Sequence, residues 1–256
     1  MTFRLTAFAF HLAASALVLL IIFGLLYFGW YAWPAWYLLG AGGVVGLIVL
    51  VDVILGPLLT LLIANPAKPR SELRRDIALI VVVQLAALSY GVFSLWQARP
   101  LFYALTLDRI ELISASDFTR EDIAQAQAKG ATILPTPFTR PTWIWAPLPE
   151  NKDERERIIN GAVWGGKDII SMPEYFRPWT DGVGALQKKL HPMSALKAPR
   201  GLDEAEYKKL LARLGGTESD FGWLLMQGTR QNGSMVFERA SGQPVLFVQA
   251  EPKTAK

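Results

Sequence analysis

Asp52 is the polar side chain whose surroundings most need an explanation. It is the one charged residue in residues 36–64, a long and mostly apolar stretch. A carboxylate at the centre of a bilayer costs roughly 2.5–3.5 kcal/mol on insertion scales unless it is paired, hydrated or protonated. The functional interpretations are a proton or ion relay and a polar contact to a partner's transmembrane helix. We favour a third, an internal hydrogen bond, because a transporter needs more membrane polar groups and more helices than this chain offers.

Depth along the helices predicts which side chain would bond to Asp52. Asp52 lies about 12 residues, or about 18 Å, before the end of its apolar stretch. Ser89 and Tyr90 lie about 12 and 13 residues into the next stretch, residues 77–97, whereas Gln84 lies only about 7 residues in, or about 10 Å. We therefore expect Tyr90 or Ser89, rather than Gln84, to be the internal partner.

A Gly-Pro pair follows Asp52 by one helical turn. Pro57 removes the hydrogen bond to the carbonyl of Val53 and kinks a helix. Gly56 is four residues after Asp52 and so lies on the same helical face. The kink and the carboxylate are predicted to form one local feature, a docking notch at residues 52–57.

No pattern of catalytic residues is present elsewhere. The chain has no cysteine, which excludes thiolate catalysis, disulfides and cysteine-ligated metal centres. His191 is the single histidine in residues 99–256, and no metal-ligand cluster, nucleophile elbow or P-loop pattern occurs. Glu154 and Glu156 lie among arginines, which favours a solvated helix face over an acid–base pair. We predict no catalytic, metal or cofactor site and no enzymatic activity.

Three apolar stretches, residues 8–30, 36–64 and 77–97, predict three transmembrane helices within residues 1–98. At about 1.5 Å per residue, about 20 residues cross a hydrocarbon core of about 30 Å. A cleaved signal peptide is the alternative for the first stretch, but the apolar run continues well past its small-residue triplet and ends in aromatic residues.

Pairs of small residues four apart predict helix packing. Gly42 and Gly46 form one pair, and Ala87 and Gly91 form another. Small residues at this spacing let helix backbones approach closely in membranes. We interpret them as contacts within the three-helix bundle, with a homodimer face as the alternative.

The distribution of basic residues predicts the orientation in the membrane. The connection between the second and third stretches carries Lys68, Arg70, Arg74 and Arg75, whereas the connection before it carries no charge. Basic loops are retained in the cytoplasm. The N-terminus is then cytoplasmic, and residues 99–256 lie outside, which in a Gram-negative cell is the periplasm. The predicted location is the bacterial inner membrane.

Residues 99–256 have the composition of a soluble domain and predict an α+β fold. Strand-like alternation occupies residues 102–114, and a short candidate strand follows at 131–134. Three candidate strands at the end, joined at Asn232-Gly233 and Ser241-Gly242, predict an antiparallel β-meander. The predicted helices are residues 119–128, 153–164 and 203–214, and the predicted terminal strands are 222–229, 234–239 and 243–249.

Aromatic residues in two proline-rich segments are candidate partner contacts, because aromatic rings anchor many interfaces. Packing in the core of the domain is the equally weighted alternative, and a membrane-resting surface is a third. The net charge of +4 is not gathered in one run, so we predict no nucleic-acid binding. The candidates are Phe138, Trp143, Trp145, Tyr175, Phe176 and Trp179.

An ordered series of motifs resembles one family. The series is VDVILGPLLTL at residues 51–61, NPAKP and ELRRDI within 65–77, QLAALSYG at 84–91, and ARP at 98–100. This series is similar to the TfpX/TfpZ family of type IV pilin accessory proteins, over residues 1 to about 118. The resemblance implies a non-enzymatic inner-membrane factor with a chaperone-like or modulating role and no cofactor. Its implied partner is the type IV major pilin, contacted in the bilayer through the pilin's apolar N-terminal helix and outside the membrane through the pilin head.

A membrane-anchored periplasmic sensor or ligand-binding protein is the alternative. Its output would need a partner, because the cytoplasm receives only a short terminus and the loop at residues 65–76. A membrane-bound enzyme is a second alternative, which a metal or a catalytic role for His191 would support.

Overall fold

A computed structural model describes residues 2–197 and 201–252. The chain forms two compact units, Met1–Arg99 and Pro100–Lys256. The first is helical and the second is built on a mixed sheet.

The first unit contains three helices that are long and apolar enough to cross a membrane, counted among the described residues: Phe3–Tyr31, Ala41–Ile63 and Arg70–Gln97. The third begins at Arg70, directly after Pro69, and so earlier than the apolar stretch that starts at residue 77. Polar residues with good helix propensity extend it, because hydropathy marks only the part of a helix that lipid can surround.

The first two membrane helices are not uniform. Helix α1, Thr2–Leu26, continues as a π-helical turn at Tyr27–Tyr31. A short helix α2, Ala35–Leu38, then ends before Gly40, whose positive φ of 63° breaks the helix that was predicted to run unbroken through residues 36–64. Helix α3 follows at Ala41–Val49.

A second π-helical segment, Leu50–Leu55, joins α3 to helix α4, Gly56–Ile63. Within it, the backbone N–H of Gly56 donates to the carbonyl of Val51, five residues earlier. In this register the carbonyl of Asp52 would accept from residue 57. That residue is proline and has no N–H, so the Asp52 carbonyl needs a donor from another element.

Helix α5, Arg70–Gln97, packs through a narrow stripe. Its buried residues recur at spacings of three or four, which is the period of one helix face. At its end, the hydroxyl of Tyr31 donates to the main-chain oxygen of Leu95 at 2.7 Å and so satisfies a terminal carbonyl. The buried stripe consists of Ile80, Gln84, Leu88, Gly91 and Leu95.

The second unit contains a mixed sheet whose strand order is β4-β3-β1-β2-β6-β7-β8, with β5 paired to β6. The β1–β3 and β2–β6 pairs are parallel, and the other pairs are antiparallel. The strands are β1 Pro100–Leu105, β2 Ile110–Ser114, β3 Thr142–Trp145, β4 Arg177–Pro178, β5 His191–Pro192, β6 Phe221–Gln227, β7 Asn232–Glu238 and β8 Pro244–Val248.

Four longer helices accompany the sheet in the part of the unit that the structure describes. They are α6 Arg120–Ala128, α7 Lys152–Val163, α8 Trp179–Lys189 and α9 Glu204–Leu214. Thr119 and Asp203 cap α6 and α9 through reciprocal capping boxes. The predicted fold class is confirmed: three apolar helices precede an α+β unit that ends in the antiparallel meander β6-β7-β8.

Several local predictions in the second unit are wrong. Residues 131–134 form no strand, whereas Trp143 and Trp145 lie in β3 rather than in a loop. The alternating stretch 102–114 is two strands, joined by a turn in which Thr106 N donates to Arg109 O. Helix α8 was not predicted, because Gly182 and Gly184 lower its helix propensity.

The Asn232-Gly233 pair is not the hairpin turn. It lies inside β7, where Gln227 pairs with Asn232, and the turn spans residues 228–231. A Cβ on Gly233 would lie 2.2 Å from Cζ of Phe247. The glycine is therefore required by side-chain packing on the sheet and not by turn geometry.

Candidate functional site

A cavity of about 180 Å³ opens in the helical unit beside Asp52. Residues of α1 form one wall and residues of α5 form another, and Asp52 of the π-helical segment also lines the cavity. The lining is mainly apolar: His11, Ala14, Ser15, Val18 and Leu19 of α1, Asp52, and Val81, Gln84, Leu85 and Leu88 of α5.

Asp52 is almost fully buried, with 4% of its surface exposed. Neither carboxylate oxygen of Asp52 has a hydrogen-bond partner among the described residues. Its main-chain oxygen accepts a hydrogen bond from Nε2 of Gln84 at 3.0 Å. The residue therefore has a partner for its backbone but none for its charge-bearing group.

The preference for Ser89 or Tyr90 as the partner of Asp52 is wrong. Both side chains are exposed, Tyr90 to 76%, and both fall outside the buried stripe of α5. The depth estimate failed because α5 begins at Arg70, which places Gln84 about 14 residues, or about 21 Å, along the helix. Asp52 lies about 11 residues, or about 17 Å, from the end of α4, so Gln84 is close to its level.

Gly56 and Pro57 are both buried. A Cβ at Gly56 would lie 2.0 Å from Nε2 and 2.4 Å from Cδ of Gln84, so the amide of Gln84 fills the space beside this glycine. The predicted docking notch at residues 52–57 is therefore occupied from within the bundle. The side chain of Asp52 opens instead to the cavity between α1 and α5.

A second polar contact crosses the bundle on the same face of the helix. Nδ1 of His11 and Oγ1 of Thr60 lie 2.7 Å apart, and Thr60 is 2% exposed. Sequence reasoning missed both residues. Asp52, Gly56 and Thr60 recur every four residues, and this spacing was the available indication that Thr60 faces inward.

The polar cluster is defined here as His11, Asp52, Thr60 and Gln84. Oε1 of Gln84, like the two carboxylate oxygens of Asp52, has no hydrogen-bond partner among the described residues. Leaving such a group unsatisfied costs about 1–3 kcal/mol. In the described ranges no group of three or more histidine, cysteine or acidic residues is placed to hold a metal ion.

The small residues that were predicted to pack helices together differ in burial. Gly91 is buried, and a Cβ there would lie 2.4 Å from Cδ1 of Ile48, so α5 approaches α3 closely. Ala87 is half-buried. Gly42 and Gly46 are exposed within this unit, and no described atom comes within 4 Å of a Cβ on Gly46. The small-residue spacing thus coincides with a close helix contact at Gly91 of α5, whereas in α3 a Cβ on Gly42 would lie 3.6 Å from Nε1 of Trp36.

The basic loop is partly neutralised. The ammonium of Lys68 lies 2.9 Å from Asp76 and 3.3 Å from Glu72, and these hydrogen bonds raise the pKa of Lys68. Arg70, Arg74 and Arg75 are exposed. The positive charge that this loop presents is therefore mainly that of the arginines.

The candidate contact aromatics pack within their own unit. Phe176 is 1% exposed and lies 5.6 Å, centroid to centroid, from Phe102. The other candidates are half-buried, except for the exposed Phe138. Trp143 packs against Tyr103, Trp179 and Phe237, Trp145 covers Gly182, and Tyr175 donates to Glu154.

Of the two most exposed rings among the described residues of this unit, Phe138 was among those candidates and Trp164 was not. Trp164 is 87% exposed and Phe138 is 81% exposed. Trp164 follows the last turn of α7, next to the exposed Val163. Single exposed apolar residues are common on protein surfaces and define no site by themselves.

The described part of the chain combines three helices that are long and apolar enough to span a membrane with an α+β unit. Fimbrial assembly proteins of Dichelobacter nodosus are similar to this chain. Those of serogroup I and serogroup E1 are each 29% identical over 184 residues, covering 72% of this chain and 70% of theirs. The protein of serogroups C1 and C2 is 35% identical over 116 residues, covering 45% of this chain and 88% of its own length.

The chain belongs to the fimbrial assembly protein family. No protein-family model matches it, and no solved structure matches it.

Proposed function

We propose that the protein is a non-enzymatic inner-membrane accessory factor for type IV pilin assembly, of the TfpX/TfpZ kind. Its role is chaperone-like or modulating, and its partner is the major pilin. Its similarity to fimbrial assembly proteins supports a role in fimbrial assembly. The ordered motifs of residues 51–100 support the narrower assignment.

The observation that carries this proposal is the carboxylate of Asp52, which lies beside an apolar cavity and has no hydrogen-bond partner among the described residues. A buried polar group in a membrane helix marks a functional site, because it is costly to maintain. Transport is the weaker explanation. The polar cluster contains two titratable side chains, His11 and Asp52, and a relay across the bilayer needs a longer series. A binding role needs only one accessible polar group.

The proposed orientation follows from the exposed Arg70, Arg74 and Arg75, which favour a cytoplasmic loop. The N-terminus then lies in the cytoplasm, and the α+β unit lies in the periplasm, where it contacts the pilin head. Fusing alkaline phosphatase after Arg99 should give active enzyme, and fusing it within the loop should not. Activity from the loop fusion alone would reverse the orientation.

The assembly role is tested by deleting the gene and counting surface pili by electron microscopy. We expect fewer pili or altered retraction, restored by the full chain, with the amount of pilin in the membrane measured in parallel. Normal pilus number and normal retraction in the deletion strain would disprove the proposed function.

A further inference from the structure

Around the cavity, three acceptor atoms have no hydrogen-bond partner among the described residues: both carboxylate oxygens of Asp52 and Oε1 of Gln84. The nearby amide and imidazole are only partly engaged, because the amide of Gln84 has a second N–H and the imidazole of His11 has a second ring nitrogen. Nε2 of Gln84 binds the main-chain oxygen of Asp52, and Nδ1 of His11 pairs with the hydroxyl of Thr60. A donor that enters the cavity from outside the bundle would satisfy these buried acceptors.

We propose that the cavity between α1 and α5 binds a hydrogen-bond-donating side chain on a partner's transmembrane helix. This inference rests on the proposed function, which makes the partner the major pilin. The donor is a hydroxyl, an amide, a protonated acid or an ammonium, and it reaches Asp52 from the side of the bundle.

The depth of Asp52 identifies a protein segment rather than a lipid as the source of the donor. Asp52 is the middle residue of the span Ala41–Ile63. It therefore lies about 17 Å from either end of this span by helical rise. Lipid headgroups lie outside the hydrocarbon core of about 30 Å, so they do not reach this level. A side chain in the middle of another membrane helix does.

The size and walls of the cavity fit one side chain. Its volume is about 180 Å³, well above the ~10–15 Å³ that one water molecule needs. A whole helix, about 10–12 Å across, does not fit between α1 and α5. Val18, Val81 and Leu85 line the cavity and are also exposed, so the opening lies on the apolar outer surface of the bundle. The partner helix therefore stays outside and inserts a single residue.

The test uses a photo-crosslinking amino acid placed singly in the full chain, in cells that make the tagged major pilin. Val81 and Leu85 line the cavity, whereas Leu79 and Val82 are exposed on the same helix outside it. We expect pilin adducts from Val81 and Leu85 at about tenfold or more the yield from Leu79 and Val82. Equal yields from all four positions, or adducts only within the chain or with a second copy, would overturn the inference.

Two substitutions then test the chemistry. Asp52→Leu removes both acceptors and should lower the adduct yield about tenfold, while Asp52→Asn keeps one acceptor and should retain most of it. Replacing the hydrogen-bond donors in the pilin's membrane segment one at a time by leucine should reproduce the loss of adducts. These pilin variants test the inference even if Asp52→Leu fails to fold. Adduct yields that stay unchanged in all of these variants would show that no donor of the pilin binds Asp52.

The outcomes separate this inference from the proposed function. If deletion of the gene impairs piliation while Val81 and Leu85 give no pilin adduct, the cavity proposal fails and the assembly role stands. If piliation is normal but the adducts form and depend on Asp52, the cavity binds pilin and the assembly role fails.

Discussion

Nε2 of Gln84 donates to the main-chain oxygen of Asp52 across 3.0 Å, joining two membrane helices at a backbone carbonyl. The carbonyl is open because Pro57 stands where the π-helical register needs an N–H. One glutamine thus replaces a missing backbone donor. Its other amide atom, Oε1, remains an acceptor without a partner among the described residues.

Gln84→Leu should destabilise the helical bundle by about 1–3 kcal/mol, because it leaves the Asp52 carbonyl buried without a donor. Unfolding of the full chain in detergent, followed by circular dichroism, measures the change. Tyr90→Phe is the matched control on the same helix, since Tyr90 is exposed. An equal loss in both variants would contradict the assigned role of Gln84.

Gly56→Ala should destabilise the bundle by a similar amount, because the new methyl group displaces the Gln84 amide 2.0 Å away. Gly43→Ala in α3 has no atom within 4 Å of the new Cβ among the described residues and should be neutral or slightly stabilising. Shortening the glutamine in Gly56→Ala/Gln84→Ala makes room for the methyl group. The double variant should therefore lose less stability than the two single losses added together. Strictly additive losses would show that the two residues do not compete for one space.

Asp122 should make the start of α6 sensitive to acid. Burial raises the pKa of Asp122, but hydrogen bonds from Lys167 and Thr119 outweigh burial and leave it lowered. The carboxylate therefore stabilises the fold above about pH 4, the usual pKa of aspartate, and this contribution disappears as the pH falls through the lowered pKa. Hydrogen-exchange protection of α6, corrected for intrinsic rates, should fall across this window.

Asp122→Asn should reduce the protection of α6 at neutral pH and remove most of its pH dependence. Glu121→Gln, at the exposed neighbouring position, is the control and should change little. Retention of the acid transition in Asp122→Asn would assign it to another group.

Phe176→Ala should destabilise the α+β unit by about 3–5 kcal/mol, because the ring is almost completely buried against Phe102. Trp164→Ala should change stability by less than about 0.5 kcal/mol, because its ring is exposed. Urea unfolding followed by tryptophan fluorescence of the full chain measures both. A small effect of Phe176→Ala would return this residue to the set of candidate contacts.

Long-period patterns in the sequence predicted the architecture. Three apolar stretches gave the three spans, and alternation with turn residues gave the terminal meander. These features depend on composition over many residues, which local detail does not override. The helix at residues 203–214 was also predictable, because Asp203 and Gly215 are strong local end signals.

The partner of Asp52 was not predictable from depth alone. The estimate depended on where α5 begins, and a polar first turn does not register as part of an apolar stretch. It also ignored which way each side chain points, and Ser89 and Tyr90 lie on the exposed face of α5. The π-helical segment Leu50–Leu55 also changes the direction in which side chains of the second membrane helix point. In the sequence, only Pro57 indicated an irregular helix there.

Gly233 shows the same limit in the second unit. An Asn-Gly pair between alternating residues is typical of a tight hairpin, yet here the glycine accommodates the ring of Phe247. Sequence spacing does not distinguish a glycine required by backbone conformation from one required by a neighbouring side chain. Only the register of β7 against β8 separates the two.

The π-helical segment Leu50–Leu55 also sets the phase between the two halves of the second membrane helix. The half before it carries Ile48, which packs on Gly91, and the half after it carries Thr60, which meets His11. Each residue of an α-helix turns the chain by about 100°. Deleting one residue within 50–55 would rotate one half against the other by that angle, so the bundle would keep one of these contacts and lose the other. The length of this segment is thus constrained by the contacts of Ile48 with Gly91 and of Thr60 with His11, and much less by the side chains of the segment itself.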